Sequence, residues 1–253
     1  MTLRAPLALG LAALVPFALT GCLGVETTQD KSAAKAKLAV DRIKNQTGLT
    51  IAKVNPDVKV EQSAVVQDPN GVAAVVHVKN TGSTQVAVPV AITVSDAAGK
   101  KLYANDAAGL DPSLVSLPVI AAGQEAYWVN NQILVAGKAK DIKAEVGAAK
   151  AGAPADLPKI TLADVTVGHD EDGTYAKGTV RNESPIEQRR LTVSCVALEG
   201  AKVLAAGRAV IERLPAAAAA TKPTPFTVFF IGDPKHAKLT CSAPPTVLTG
   251  GTK

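Results

Sequence analysis

From Val58 onward the chain alternates apolar and polar residues with a period of two, and this alternation constrains the fold more than any other feature. In segment 86–95, five branched aliphatic residues fall on one face and small or polar residues on the other. This pattern is typical of an antiparallel strand with one buried face. Pro89 cannot donate a ladder hydrogen bond, so it predicts an edge or a bulge. Turn signals at 80–83 and 96–99 flank the strand, which indicates a sandwich or barrel of short strands.

The strand pattern occurs twice in the chain. Val-Lys-Asn-Thr at 78–81 returns as Val-Arg-Asn-Glu at 180–183, which is 102 positions later. Ile-Thr-Val-Ser at 92–95 resembles Leu-Thr-Val-Ser at 191–194, which is 99 positions later. Each half also has a late aromatic strand, at 126–129 and at 226–230. The sequence therefore predicts an all-β protein with two tandem antiparallel sandwich domains of similar design.

The repeat also sets the expected domain boundaries. The first β-sandwich domain is expected at 56–147 and the second at 159–248. Residues 148–158 between them are rich in Ala, Gly, Pro and Lys, which is typical of a linker.

Ahead of the strands, Arg4 precedes an apolar run at 6–19, and the chain turns polar soon after Cys22. A membrane-spanning helix needs about 20 apolar residues, and this shorter run contains two prolines, which favours a signal peptide. The run ends in Leu19-Thr-Gly-Cys22, which resembles the lipobox of bacterial lipoproteins. The resemblance implies that residues 1–21 are removed and that a lipid on Cys22 anchors the protein to the extracytoplasmic face of the cell membrane. The alternative is a soluble secreted protein cut at an ordinary small-residue site.

Residues 22–55 are expected to form a lipidated tether. Asp30 is suited to cap a short helix from Lys31 to Gln46, with Gly48 just past its end. The basic exterior of this helix suggests contact with anionic headgroups, since each nearby basic side chain contributes about 1 kcal/mol. The alternative is a spacer helix in solvent, which we favour because its apolar stripe is too small to hold it on a membrane.

Two further cysteines predict a disulfide. With Cys22 acylated, Cys195 and Cys241 remain as an even pair in an oxidising compartment. Metal binding is the rival use, but neither cysteine has ligand spacing such as C-x-x-C. Both share a strand face with aliphatic neighbours and so point into the predicted core. In the chain-entropy model a bridge closing a loop of this length stabilises the fold by about 4 kcal/mol.

The strands carry a resemblance of their own. Ile-x-Val-x-Asp-x-x-Gly at 92–99, preceded by Val-x-Asn at 78–80, resembles the FxLYD-type immunoglobulin-like domains of bacterial and archaeal surface proteins. The chain departs from that pattern where Ile92 replaces phenylalanine, Ser95 replaces tyrosine and Cys195 replaces the aspartate of the second half. The resemblance implies immunoglobulin-like sandwiches in an envelope setting, and it brings no active site. The Ala-rich, Met-poor composition resembles that of actinobacterial lipoproteins.

No motif in the chain points to catalysis, a cofactor or a metal. The mature chain has 26 basic and 22 acidic residues, and these charges are dispersed, whereas nucleic-acid binders usually show a concentrated basic face. His77, His169 and His236 are expected at the surface, outside any nucleophile motif. The acidic run 168–173 predicts a hairpin turn, with a loose calcium site as the alternative.

The positions of four arginines in the second half and of the single tryptophan each allow two interpretations. Arg189, Arg190, Arg208 and Arg213 are expected as isolated side chains on solvent-facing strands, and a basic patch is the alternative. Trp128 is expected in the core, and an exposed aromatic anchor is the alternative.

The expected function is that of a non-enzymatic envelope lipoprotein that binds or scaffolds another envelope protein or a cell-wall component. No cofactor, metal or nucleic-acid partner is expected. The alternative is an accessory subunit that presents a small ligand or solute to a membrane complex, and a hydrolase is the third candidate. A deep cleft between the domains, lined by Trp128 and by 226–230, would favour the second candidate, because small-ligand sites are concave and aromatic-lined.

Overall fold

The computed structural model describes residues 48–149, 151–220 and 222–249, which belong to one compact unit. In these residues the regular structure is antiparallel β-sheet with two short 3-10 turns, Pro112–Leu114 and Ala217–Ala219. The predicted all-β fold is therefore confirmed. The predicted signal peptide, Cys22 and the tether helix lie outside the described residues.

The described strands fall into two halves. Those of the first half are β1 (Val58–Asp68), β2 (Gly71–Asn80), β3 (Gln85–Ser95), β4 (Lys101–Ala104), β5 (Ser116–Ile120), β6 (Glu125–Ile133), β7 (Asp141–Val146) and β8 (Ala151–Gly152). Those of the second half are β9 (Ile160–Asp170), β10 (Gly173–Asn182), β11 (Gln188–Glu199), β12 (Lys202–Leu214), β13 (Thr224–Phe229), β14 (Ile231–Gly232) and β15 (Lys238–Ser242).

The first half is a sandwich in which β3 is the central strand of the larger sheet. One sheet has the order β1-β2-β6, and the other joins β3 to β4, β5, β7 and β8. Up to Pro89, β3 pairs with β5 and β8, and from Val90 onward it pairs with β4 and β7. Ala87, two residues earlier, has a φ of 50°. Pro89 thus lies where the strand changes partners, as the missing amide proton predicts. β8 lies within the predicted linker.

The second half has the same arrangement, but its β11 residues correspond to those of β3 at a different sequence offset from the one that the sequence suggests. Its sheets have the orders β9-β10-β13 and β14-β12-β11-β15. Arg190 of β11 has a φ of 51°, as Ala87 of β3 has a φ of 50°, and β15 pairs with the end of β11 as β7 pairs with the end of β3. Counted from these two residues, Cys195 corresponds to Ile92. The offset in this strand is therefore 103, and the predicted offset of 99 is wrong.

The repeated Val-x-Asn motif ends β2 and β10 with a buried asparagine. Asn80 and Asn182 are almost completely buried. In each, the Oδ1 atom accepts a hydrogen bond from the backbone N–H two residues later. In each, the Nδ2 group donates to backbone carbonyls of the following loop and of a later strand end. Because buried backbone carbonyls require donors, these side chains fix the loops at corresponding corners of the two sandwiches.

Each sandwich encloses its own apolar core. The first core is built largely from valines of β2 and β3, such as Val76, Val78 and Val90. The second contains Leu191, Cys195, Phe226 and Val228 among its buried residues. Full burial of a Val, Leu or Phe side chain contributes about 1.5–3 kcal/mol, so these alternating positions account for most of the driving force that holds the two sheets of each half together.

Candidate functional site

The predicted disulfide is present in the second core. Cys195 and Cys241 are directly opposite on β11 and β15, with Cα atoms 4.1 Å apart, and their sulfur atoms are bonded. Cys195 is completely buried, and Cys241 packs against the same core. The bridge therefore ties the edge strand β15 to its neighbour β11 in the same sheet. Cys241 is only partly buried, and Cys195 is sealed inside the core.

The three histidines lie in separate places. His169 and His236 are exposed, as predicted. His77 is less exposed than predicted: its side chain is 17 % exposed, it stacks on Tyr127 with ring centroids 4.4 Å apart, and its Nε2 atom lies 3.1 Å from the Glu125 carboxylate. The stacking on a neighbouring strand explains the burial, since His77 and Tyr127 are register partners in β2 and β6.

The acidic run near His169 forms the predicted hairpin turn between β9 and β10. Asp170 caps the turn by accepting a hydrogen bond from the backbone N–H of Asp172 at 3.0 Å, and Gly173 has a φ of 128°. A side chain strains such a backbone, which explains the glycine. Across the described part of the chain, no group of three or more His, Cys, Asp or Glu residues is placed to hold a metal ion.

Trp128 and Arg208 lie where the two halves meet. Trp128 is 3 % exposed, and its indole Nε1 donates to the carbonyl oxygen of Ser113 at 3.0 Å, which agrees with its predicted place in the core. Arg208 was predicted on the solvent face of its strand, but it is only 8 % exposed. It is buried because its strand face is covered by the first half, whose Ser113 hydroxyl accepts a hydrogen bond from it.

A third apolar cluster joins the two sandwiches face to face. It contains Val75 and Val129 from the first half and Val196, Ala206 and Ile231 from the second, all at most 6 % exposed. Hydrogen bonds flank this junction. Gln62 donates to the carbonyl oxygen of Ala201 at 2.7 Å, and the backbone N–H of Gly232 donates to Asp68 at 2.8 Å.

The sequence interpretation missed this junction, although the sequence contains a signal for it. The β2 residues 72–76 form a continuous apolar run, and all five are buried. The β11 residues 191–197 are also buried without interruption, but Thr192 and Ser194 keep an alternating pattern in the sequence there. Strands buried on both faces show such runs in place of alternation. The apolar run in β2 therefore marks one of the two outer faces that meet, and the sequence of β11 does not mark the other.

An open cleft of about 750 Å³ runs along one side of the junction. Its wall comes from β5 and β6 of the first half and from segments 157–162 and 241–245 of the second. Leu117, Leu157 and Ile160 contribute apolar surface. Within the described residues its lining includes Tyr127 but neither Trp128 nor strand 226–230. The apolar part of the lining is thus largely aliphatic and prolyl, beside polar and charged side chains, and the cleft lacks the aromatic wall on which the solute-binding alternative depended.

Charged groups stand along the rim of this cleft. Glu125 accepts from Lys79 at 3.1 Å and lies at the same distance from His77. Hydrogen bonding and the positive charge of Lys79 lower the pKa of Glu125, and burial together with the charge of Glu125 raises the pKa of Tyr127. Lys159 on the opposite wall contacts Glu183 at 2.6 Å. An occupant of the cleft would meet apolar walls and a rim with charges of both signs.

A smaller cavity of about 250 Å³, lined by charged and hydroxyl side chains together with apolar surface, lies further along the junction. Asp111, Ser113 and Arg190 contribute to its lining. A narrow space of about 20 Å³ shares Ser113 with this cavity and Leu117 with the cleft, so the three spaces form one seam between the halves. The seam has an aliphatic end and an arginine-containing end.

At the arginine-containing end of the seam, several hydrogen bonds hold the Asp111 carboxylate in place. It accepts hydrogen bonds from the backbone N–H and hydroxyl of Ser113 and from the Arg190 guanidinium. Burial acts to raise the pKa of Asp111, but the hydrogen bonds from Ser113 and Arg190 outweigh it, and the pKa lies below its ordinary value. Burial also lowers the pKa of Arg208, although this group stays charged near neutral pH.

Asp111→Asn should remove an acid-sensitive contribution to stability. Because the pKa of Asp111 is lower in the folded chain, the ionised carboxylate stabilises the fold above about pH 4, and this contribution is lost as the pH falls through the depressed folded pKa. Thermal unfolding midpoints of wild type and variant should differ most near neutral pH and converge in strong acid. Asp141→Asn, at an exposed site in β7, is the control. A difference that stays constant with pH would exclude Asp111 as the titrating group.

The chain was compared with protein-family models, curated proteins and solved structures, and none of them matches it significantly. In the portion of the chain that the structure describes, no helix has the length and apolar character needed to span a membrane.

Proposed function

We propose that this protein is a membrane-anchored envelope lipoprotein with two immunoglobulin-like sandwiches, and that it binds or scaffolds another envelope component without catalysing a reaction. The observation that carries the binding role is the cleft of about 750 Å³, which packing of the two halves keeps open. Its volume lies within the range of ligand-binding clefts. The lipobox resemblance at Cys22 supports the anchor and the extracytoplasmic location.

The lining favours a polypeptide occupant over a small solute. The apolar part of the walls is largely aliphatic and prolyl, and the walls extend over three separate chain segments. An extended segment of an envelope protein would fill such an open trough with alternate side chains. A small solute would need a more enclosed site with converging polar groups. Solute presentation to a membrane complex is therefore the second candidate, supported by the volume of the cleft alone.

Crosslinking from the cleft tests the binding role. A photoreactive amino acid at Gln124, an exposed residue of the cleft lining, should yield a discrete crosslinked partner in intact cells. The matched control is the same amino acid at Lys100, which is exposed in the β3–β4 turn and outside the cleft lining. We expect the adduct at Gln124 only. Identical adducts at both positions, or none at Gln124, would contradict a binding role of the cleft.

The anchor is tested separately by Cys22→Ser. Because the lipid is attached to the cysteine sulfur, the variant should lose incorporation of radiolabelled lipid and appear in the medium or as uncut precursor. A single acyl chain binds membranes only marginally, whereas several chains hold a protein durably. The shift between fractions should therefore be nearly complete. Unchanged lipid labelling of the variant would refute the lipobox interpretation.

A further inference from the structure

One arginine at the junction, Arg208, is buried and makes no direct ion pair within the described residues; the charge of Asp111 reaches it only from a distance. Arg208 lies on β12 directly opposite Ser194 of β11 and is 8 % exposed. Its Nη1 group donates to the Ser113 hydroxyl of the other half. Its Nε group has no hydrogen-bond partner among the residues that the structure describes. A buried positive charge with an unpartnered donor destabilises a fold, so an anion held near Arg208 would stabilise it.

The carboxylates that pair with arginines on β11 and β12 are engaged by arginines other than Arg208. The pairs are Arg189 and Arg213 with Glu187, and Arg190 with Asp111 and Glu212. In the described part of this cluster, four guanidinium groups therefore face three carboxylates. The surplus positive charge belongs to Arg208, which is the most buried of the four.

A cavity large enough for a small anion lies close to Arg208. Ser113 lines the cavity of about 250 Å³ and contacts Arg208, and Arg189 and Arg190 line the cavity from the second half. The hydroxyl residues Ser116, Thr192 and Thr246 line it as well. Guanidinium and hydroxyl groups donate hydrogen bonds to oxyanions. A guanidinium group can bind a phosphate through two parallel hydrogen bonds.

We propose that this cavity binds a phosphate group, either as the free ion or as the head of a phosphate ester. Arg190 contacts the phosphate oxygens, and the buried charge of Arg208, which lies behind Ser113, stabilises the anion by electrostatic attraction. A phosphate has enough oxygens for donors on several walls, whereas a carboxylate has two. The cavity is larger than the bare ion and leaves room for a small ester group. This site does not rest on the function proposed for the cleft.

Titration calorimetry of the purified full-length protein tests the proposal. The probes are inorganic phosphate and propyl phosphate, at an ionic strength held constant with sodium chloride because salt screens exposed charges. If both probes bind with equal affinity, the free phosphate ion is a sufficient ligand. If propyl phosphate binds more tightly, the ligand is a phosphate ester. Both results support the site. The absence of saturable heat with either probe would overturn it.

Variants separate a phosphate site from a purely structural cluster. Arg190→Gln, at a half-exposed side chain, should weaken binding about tenfold or more, because it removes a charged donor. Asp111→Asn should tighten binding several-fold, because it releases Arg190 from a competing carboxylate. Arg208→Met should weaken binding in a protein that still folds, because a buried charge is replaced by an apolar side chain of similar length.

Arg213→Gln is the matched control, since Arg213 is an exposed arginine on the same strand and is not among the lining residues. It should leave the affinity unchanged. Equal affinity of wild type and Arg190→Gln, or an equal loss in Arg190→Gln and Arg213→Gln, would reject the site in favour of general charge attraction. Weaker binding by Asp111→Asn would show that the carboxylate supports the site, and this too would overturn the proposed arrangement.

Discussion

Replacing both Cys195 and Cys241 with alanine should lower the free energy of unfolding by about 4 kcal/mol. The bridge joins residues 46 positions apart, and closing a loop of that length restricts the unfolded chain by about this amount in the chain-entropy model. Burial of Cys195 adds to the cost, because alanine leaves a small void beside the second core. Urea unfolding followed by circular dichroism measures the loss.

Reducing the disulfide of the wild type measures the contribution of the crosslink alone, because the cysteine side chains stay in place and no packing is lost. Dithiothreitol should lower wild-type stability by a similar amount and should not affect the double alanine variant. Thiol titration of the unfolded, unreduced protein should find neither Cys195 nor Cys241 free. A loss below about 1 kcal/mol on reduction would mean that the bridge adds little, as happens when the reduced unfolded state retains structure.

The prediction of this bridge shows what strand alternation can establish. Alternation identified the face of each cysteine correctly, because side-chain direction in a strand depends only on whether the position is odd or even. It could not establish the register of the repeat. Shifting 191–194 by four residues preserves every face, so Leu191 resembled Ile92 although Cys195 is the residue that corresponds to it.

The site was harder to predict from the sequence than the fold. The junction depends on which outer sheet faces meet, and local alternation does not determine this. A comparison of equivalent positions would have helped. The asparagines that end β2 and β10 are 102 positions apart, and at the same spacing Val75 corresponds to Lys177. Val75 is 1 % exposed under the other half, whereas Lys177 is exposed. That difference marks the outer face of β2, and not that of β10, as part of the junction.

Val75→Asp should therefore destabilise the protein far more than the equivalent change in the second half. An aspartate at this position would place an unpaired charge among the apolar residues of the junction, between Val129 and the second half. Burial of an uncompensated charge typically costs about 3–5 kcal/mol. The expected results in urea unfolding are a loss of this size or the appearance of two separate transitions as the halves part.

Lys177→Asp is the matched control, because it introduces the same side chain at the equivalent outward position of β10. Its side chain is exposed, so its cost should stay within about 0.5 kcal/mol. If the halves separate in Val75→Asp while each sandwich stays folded, phosphate binding and crosslinking from Gln124 should both be lost, since the walls of the cavity and the cleft come from both halves. Equal and small losses in the two variants would show that the apolar junction does not hold the halves together, and the seam would then lack the rigidity on which both proposed sites depend.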